Sequence, residues 1–251
     1  MDEPTTYELE GGVATITLRR PEERNALSAE LVDSLAGHLE RAAADEGCRV
    51  VVLTNEGTTF SAGADLKRGG IGRVGLADLL RAILDHDKPV VGRIAGHCMG
   101  GGVGLAAACD LSVAAADARF GFTEVRVGVV PAIISVVCLP KMRRGDALEL
   151  FLSGERVSAA RACEVGLVTA AVERDGLDEA VGRVVDQLLR GAPGALAAAK
   201  ALVATVPSLG RDEAFEWTSR LSAELFSSEE AREGMAAFRE KRPPAWAPGE
   251  A

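Results

Sequence analysis

Glu124 stands within Phe120-Gly-Phe-Thr-Glu-Val-Arg-Val127, with Phe120, Phe122, Val125 and Val127 as its apolar neighbours in sequence. A carboxyl group among apolar side chains loses its water, which raises its pKa and suits it to move protons near neutral pH. A glutamate on a solvated turn carries the same local signature, so both readings stand at this point. Two small-residue loops supply the complementary chemistry. Phe60-Ser-Ala-Gly-Ala-Asp-Leu66 follows a buried-strand pattern, and Gly96-His-Cys-Met-Gly-Gly-Gly-Val-Gly104 joins a strand pattern to a helical one. Small side chains let a ligand approach the backbone, and a helix N-terminus presents free N–H donors and a positive dipole end. Two such loops at the ends of neighbouring strands can aim a pair of N–H groups at one developing oxyanion. The glycine-rich segment is neither GxGxxG nor GxxxxGK, which disfavours a nucleotide fold. His97 beside it reads more readily as a structural hydrogen-bonder than as a catalyst. His38 and His86 read as helix-surface residues, and Cys98 and Met99 as pocket lining or core.

The elements that must position these groups follow from periodicity. Alternation in Val13-Ala-Thr-Ile-Thr-Leu18 predicts a half-buried strand, reached through a Gly11-Gly12 turn from a short strand around Tyr7 to Leu9. Ser28 can cap a helix running to about Ala44, with Leu31, Leu35 and Leu39 at helical spacing. Val50 to Leu53 is a continuous apolar strand of the kind found in sheets covered on both faces. The order repeats: a helix from Leu76 to Leu84, a strand from Val90 to Ile94, the glycine turn, a helix through Leu105 to Ala108, and a strand from Leu111 to Ala114. The pattern implies repeated ββα or βα units. From Arg144 onward it is mainly helical, with one short strand at Val168 to Val172 and helices at Leu177 to Leu189, Gly194 to Val203, Asp212 to Leu225 and Glu229 to Arg239. No linker divides this tail from the rest, so it is expected to pack on the core or on a neighbouring subunit.

Composition narrows the function class. The chain has 251 residues, 47% of them hydrophobic and only 4% aromatic, so its core must be built from Ala, Val and Leu. Its net charge of −9 argues against nucleic-acid and membrane-surface partners, which need a clustered cationic face. The acidic N-terminus lacks the apolar core of a signal peptide, and the apolar run from Val127 to Pro140 is short and broken by Gly128 and Pro131. Five dispersed cysteines without a CxxC pair suit free thiols in a reducing compartment rather than a metal site. The expectation is a cytoplasmic protein.

Arg20-Pro-Glu-Glu-Arg-Asn-Ala-Leu27, the FSAGADL loop, the GHCMGGGVGLAAACD segment, Phe120 to Val125, and Phe238-Arg-Glu-Lys-Arg-Pro-Pro244 together resemble the crotonase (enoyl-CoA hydratase/isomerase) superfamily, in the family's order and over nearly the whole chain. The resemblance implies an α/β fold: a spiral of ββα units over residues 1–192, then a helical trimerisation segment over 193–251. An acyl-CoA thioester lies between them, no other cofactor or metal is needed, and the chain is a homotrimer or a dimer of trimers. Carried over by position, Ala64 and Gly101 supply the oxyanion N–H groups and Glu124 transfers the proton. Asp65 orients its loop through local hydrogen bonds. The resemblance draws the CoA and acyl contacts from Arg24, Ala26, Leu27, Ala62, Asp65, Leu66, Gly102, Gly104 and Lys241. Arg24 and Lys241 have charge suited to phosphate, although solvated surface cations look the same.

The chain departs from the two-glutamate pattern of many such hydratases, which carry a second glutamate where this sequence has Gly104. A further acid position of the superfamily is Ala132. The pattern is also similar to single-glutamate hydratases of branched glutaconyl-type thioesters. The leading expectation is hydration of a 2-enoyl-CoA to a 3-hydroxyacyl-CoA. A 3,2-enoyl-CoA isomerase and a catalytically weak acyl-CoA-binding trimer are the alternatives. The missing side chain at Gly104 is expected to leave space that either a bulky acyl group or an introduced glutamate would fill.

Overall fold

The computed structural model of the chain describes residues 3–65 and 72–248. β1 (Thr5–Glu10) and β2 (Val13–Leu18) form the antiparallel hairpin that the Gly11-Gly12 turn predicts. Ser28 Oγ accepts from Leu31 N at 3.3 Å and starts α1 (Ala29–Ala44), whose Leu31, Leu35 and Leu39 stripe is buried.

Three successive units follow. β3 (Val50–Asn55) leads to β4 (Thr59–Ser61) and α2 (Leu76–Leu84). β5 (Val90–Ile94) leads to β6 (His97–Met99) and α3 (Gly101–Ala108). β7 (Leu111–Ala115) leads to β8 (Arg119–Gly121), a 3-10 turn at Thr123–Val127 and α4 (Ala132–Cys138). After them come α5 (Arg144–Ser153), β9 (Arg156–Ser158), α6 (Ala159–Glu164), β10 (Ala170–Val172) and α7 (Leu177–Leu189). The chain then runs through α8 (Pro193–Thr205), α9 (Arg211–Ser227) and α10 (Glu229–Glu240).

The first strand of each unit enters a six-stranded sheet ordered β1-β2-β3-β5-β7-β10, and the second enters a four-stranded sheet ordered β4-β6-β8-β9. Apart from the β1–β2 and β8–β9 pairs, all pairing is parallel. This is the α/β spiral of ββα units that the resemblance implies. The larger sheet is covered on both faces, which explains the unbroken apolar run of β3. Val51 and Leu53 join the cluster containing α1 and α3, whereas Val50 and Val52 meet Leu177, Val181, Val185 and Leu189 of α7.

All eight residues of α3 are buried, as befits a helix without a polar face. His86 corrects the expectation of a helix-surface residue: it follows α2, is 6% exposed and bonds the carbonyls of Lys88 and Leu39. The apolar run from Val127 to Pro140 is folded into the 3-10 turn and α4 rather than one long element. No helix among the described residues is long and apolar enough to cross a membrane.

Candidate active site

Asn25 explains why the Arg20 to Leu27 motif sits beside the chemistry. It is fully buried at φ +48, a left-handed backbone that Asn tolerates better than most residues. Its Oδ1 accepts from Arg20 N at 2.7 Å, and its Nδ2 donates to Glu56 O at 3.1 Å and Thr59 O at 2.7 Å. The turn so fixed lays Arg24 to Leu27 along the FSAGADL loop. Ala62 N donates to Arg24 O at 3.0 Å, Leu27 N donates to Gly63 O at 2.8 Å, and Leu27 bridges Ala64.

The two glycine-bearing loops touch. Gly63 has φ +85, and a Cβ there would stand 2.8 Å from Met99 O and 3.0 Å from Gly101 N, so any side chain would push the loops apart. A Cβ on Gly102 would stand 2.4 Å from Ser61 O, which packs the first turn of α3 directly on the loop. Among the described residues, the N–H groups of Ala64 and Gly101 have no protein acceptor. Gly101 is also the first residue of α3, so the positive end of that helix lies at the same place.

Ala62, Gly63, Ala64, Gly100, Gly101 and Glu124 line one cavity of about 770 Å³, a size suited to a small organic ligand. Thr123, Arg126, Val127, Val129 to Ile134 and Gly154 to Arg156 complete its described wall with Leu76. Glu124 lies within the 3-10 turn, its Oε1 3.1 Å from where a Cβ on Gly100 would be. Its Oε2 is buried and bonds no described group. Burial pushes the Glu124 carboxyl above its usual range, in the direction its apolar sequence neighbours predict. Phe120 and Phe122 are each 1% exposed, but Val127 is 62% exposed and forms part of the open rim instead.

The remaining sequence-derived positions divide. Arg24, Ala26 and Leu27 support the wall from behind and do not line the described cavity. Asp65 is half-buried at the end of the loop, and Leu66 lies outside the described residues. Gly102 faces Ser61, and Lys241 caps the far end of α10, exposed and away from the described lining. Gly104 leaves no open space. A Cβ there would stand 2.4 Å from Cγ2 and 2.9 Å from Cβ of Ile134, which is 2% exposed and fills the position itself. The expectation of a vacant site ready for a glutamate is therefore corrected: α4 closes it.

His97 accepts from Arg119 N at 3.1 Å and links β6 to β8, the structural role expected of it. Cys98 is fully buried core, and burial pushes Cys109 and Cys138 up to about 12, too high for thiolate chemistry. Arg126, Glu155 and Arg156 were not legible as site residues, because α5 and β9 bring Glu155 and Arg156 there from some thirty positions downstream of Glu124.

The family model described as enoyl-CoA hydratase/isomerase matches residues 8–249. The chain belongs to the enoyl-CoA hydratase/isomerase family. It is therefore a member of the crotonase superfamily, whose fold it has. Among its relatives in this family is the (E)-benzylidenesuccinyl-CoA hydratase of Thauera aromatica, 32% identical over 252 residues, or 97% of this chain and 98% of that protein. The carnitinyl-CoA dehydratase of Salmonella typhi is 33% identical over 249 residues, 94% of this chain and 95% of that protein. The crystal structure of an enoyl-CoA hydratase from Mycobacterium smegmatis superposes with a TM-score of 0.91 at 32% identity, covering 98% of this chain and 99% of that one. A hydratase or isomerase acting on acyl-CoA is the class of enzyme this membership carries.

Proposed function

We propose that the enzyme hydrates a 2-enoyl-CoA to a 3-hydroxyacyl-CoA, using Ala64 and Gly101 as oxyanion donors and Glu124 as the proton-transfer group. The observation that carries this reading is the meeting, in one cavity, of two N–H groups without described acceptors and a buried carboxylate oxygen without a described donor. The thioester oxygen accepts from Ala64 and Gly101, which draws electrons from the double bond and makes the β carbon electrophilic. Glu124 takes a proton from water as the water oxygen bonds to that carbon. The negative charge passes to the thioester oxygen, and Glu124 then returns the proton to the α carbon. Each preorganised donor contributes about 3–4 kcal/mol to the barrier reduction in comparable sites. Coenzyme A enters as part of the substrate.

One buried carboxylate also suffices for a 3,2-enoyl-CoA isomerase, in which Glu124 removes one proton and returns it two carbons away. The closure of the Gly104 position by Ile134 favours keeping this second reading. A panel of 2-enoyl-, 3-enoyl- and glutaconyl-CoA thioesters in deuterated water separates the two. Hydration gives a 3-hydroxyacyl product carrying deuterium at the α carbon, and double-bond migration alone across the panel would establish the isomerase instead. Glu124→Gln is expected to lower kcat by about 10²-fold or more while thioester binding persists. Retention of a tenth of the activity would remove Glu124 from the mechanism.

A further inference from the structure

Arg126 and Arg156 line the cavity, and neither is in an ion pair among the described residues. That sets them apart from Arg143, Arg161, Arg174 and Arg242, each held on carboxylates. Both are exposed at the cavity and lie within reach of a bound anion, two positive charges in a chain of net charge −9.

Their placement is built by the fold. Arg126 follows Glu124 by two residues in the 3-10 turn, and its Cγ and Nε would lie 3.2 Å from a Cβ on Gly154. One Nη donates to Ser153 O at 3.3 Å, which leaves the rest of its guanidinium fork unused. Arg156 pairs with Gly121 in the β8–β9 register, and Gly121 O accepts from Gly100 N at 2.9 Å. Both arginines therefore share a cavity with Glu124, yet neither pairs with it nor is among the causes of its raised pKa. Glu155, exposed and also in the lining, adds one negative charge to the cavity.

The N–H groups of Ala64 and Gly101, which have no acceptor among the described residues, line the same cavity, and Arg24 to Leu27 back that part of it through Ala62 and Gly63. A thioester held there by its carbonyl has its acyl group in the cavity that Glu124, Arg126 and Arg156 also line. We propose that Arg126 and Arg156 form an anion subsite that reads a carboxylate at the far end of the acyl group, so that the enzyme prefers thioesters of dicarboxylic acids. This rests on the acyl-CoA reading given above and narrows it to a substrate class. Guanidinium forks bind carboxylates with charge-assisted and often bidentate hydrogen bonds.

The same forks could instead meet the phosphates of coenzyme A, so the test compares acyl groups on one carrier. Affinities of succinyl-, glutaryl- and adipyl-CoA are measured by calorimetry against butyryl-, pentanoyl- and hexanoyl-CoA. All six are saturated, so binding is read without turnover. For at least one length, the dicarboxylic thioester is expected to bind about tenfold tighter, the scale of one charge-assisted hydrogen bond. The double substitution Arg126→Met with Arg156→Met is expected to abolish that ratio. Arg156→Gln alone is expected to reduce it, in a side chain that makes no described hydrogen bond to the fold. Equal affinities within every pair would overturn the proposal while leaving the acyl-CoA reading intact. A ratio that survives the double substitution, with both members weakened alike, would assign the arginines to the coenzyme phosphates and overturn it too. Failure of all six to bind would remove the acyl-CoA reading and this inference together.

Discussion

Glu124 keeps one carboxylate oxygen away from water and from every described donor, and the consequence falls on stability as well as on chemistry. Its pKa is raised above 4.5 in the folded chain, so the native state holds this proton more tightly than the unfolded chain does. Stability therefore falls as pH rises from the ordinary glutamate value through the raised one, and stays lower above it. Glu124→Gln removes the buried charge and is expected to raise the melting temperature more at pH 8 than at pH 4. Equal shifts in thermal melts at the two pH values would contradict this. Gly104 makes the second argument at this scale. With Ile134 Cγ2 only 2.4 Å from where a Cβ would stand, Gly104→Ala is expected to cost about 1–3 kcal/mol through overpacking. Ile134→Ala carries its own cavity cost, but the double substitution should cost less than the sum of the two, and a double-mutant cycle from urea unfolding measures the coupling. Strictly additive costs would show that the two residues do not compete for one volume.

At the scale of elements, the site depends on loops that are held by side chains outside the cavity. Asn25 is the clearest case, because its three hydrogen bonds join the turn after β2 to the ends of β3 and β4. Those ends carry the loop from Ser61 to Ala64. Asn25→Ala would take away the Oδ1 that accepts from Arg20 N, leave the carbonyls of Glu56 and Thr59 with only their longer bonds from Asn55 Nδ2, and put Ala at positive φ. The expected cost is about 3 kcal/mol in chemical denaturation, with loss of turnover at temperatures where the chain is still folded. A change below about 0.5 kcal/mol would mean that the turn is held by its backbone bonds alone. The second sheet makes a related point. Its four strands are three residues each, too short for periodicity to reveal, yet β6 and β8 deliver Gly100 and Glu124 to the same place.

At the scale of the molecule, the C-terminal helices lack cover. Neither α8 nor α9 contains a buried residue, and α10 contains only Ala237. Phe215, Phe226 and Phe238 are 68%, 70% and 86% exposed. The segment is nevertheless anchored to the core. Lys200 of α8 pairs with Asp110 at 2.7 Å and donates to His86 O, while Arg49 holds the carbonyls of Gly191 and Trp246 at 2.8 and 2.9 Å. A firmly attached set of helices with apolar faces open to solvent is a surface for self-association. We expect the enzyme to assemble in threes, the order implied by the family, as a trimer or a dimer of trimers. Light scattering at micromolar concentration checks this, and a monomer would refute it.

The sequence by itself determined the strands of the larger sheet, the longer helices and the two small-residue loops. Those properties are local: alternation, helical spacing, a Ser cap and glycine turns act over a few residues, so α1, α2 and α7 are readable without their partners. The ordered motifs also pointed to Ala64, Gly101 and Glu124, which the fold brings to one cavity. Tertiary structure decided what depends on contacts between distant segments. Whether Gly104 is open or closed depends on Ile134, thirty positions away on another helix. Whether Arg156 faces the site depends on the pairing of β9 with β8. His86 reads as a helix-surface residue in the sequence, but it lies beyond the end of α2 and is buried where it meets Leu39 O of α1. Packing assigns each side chain one neighbour among many that its sequence allows, and volume and charge at a site are set only when that assignment is made.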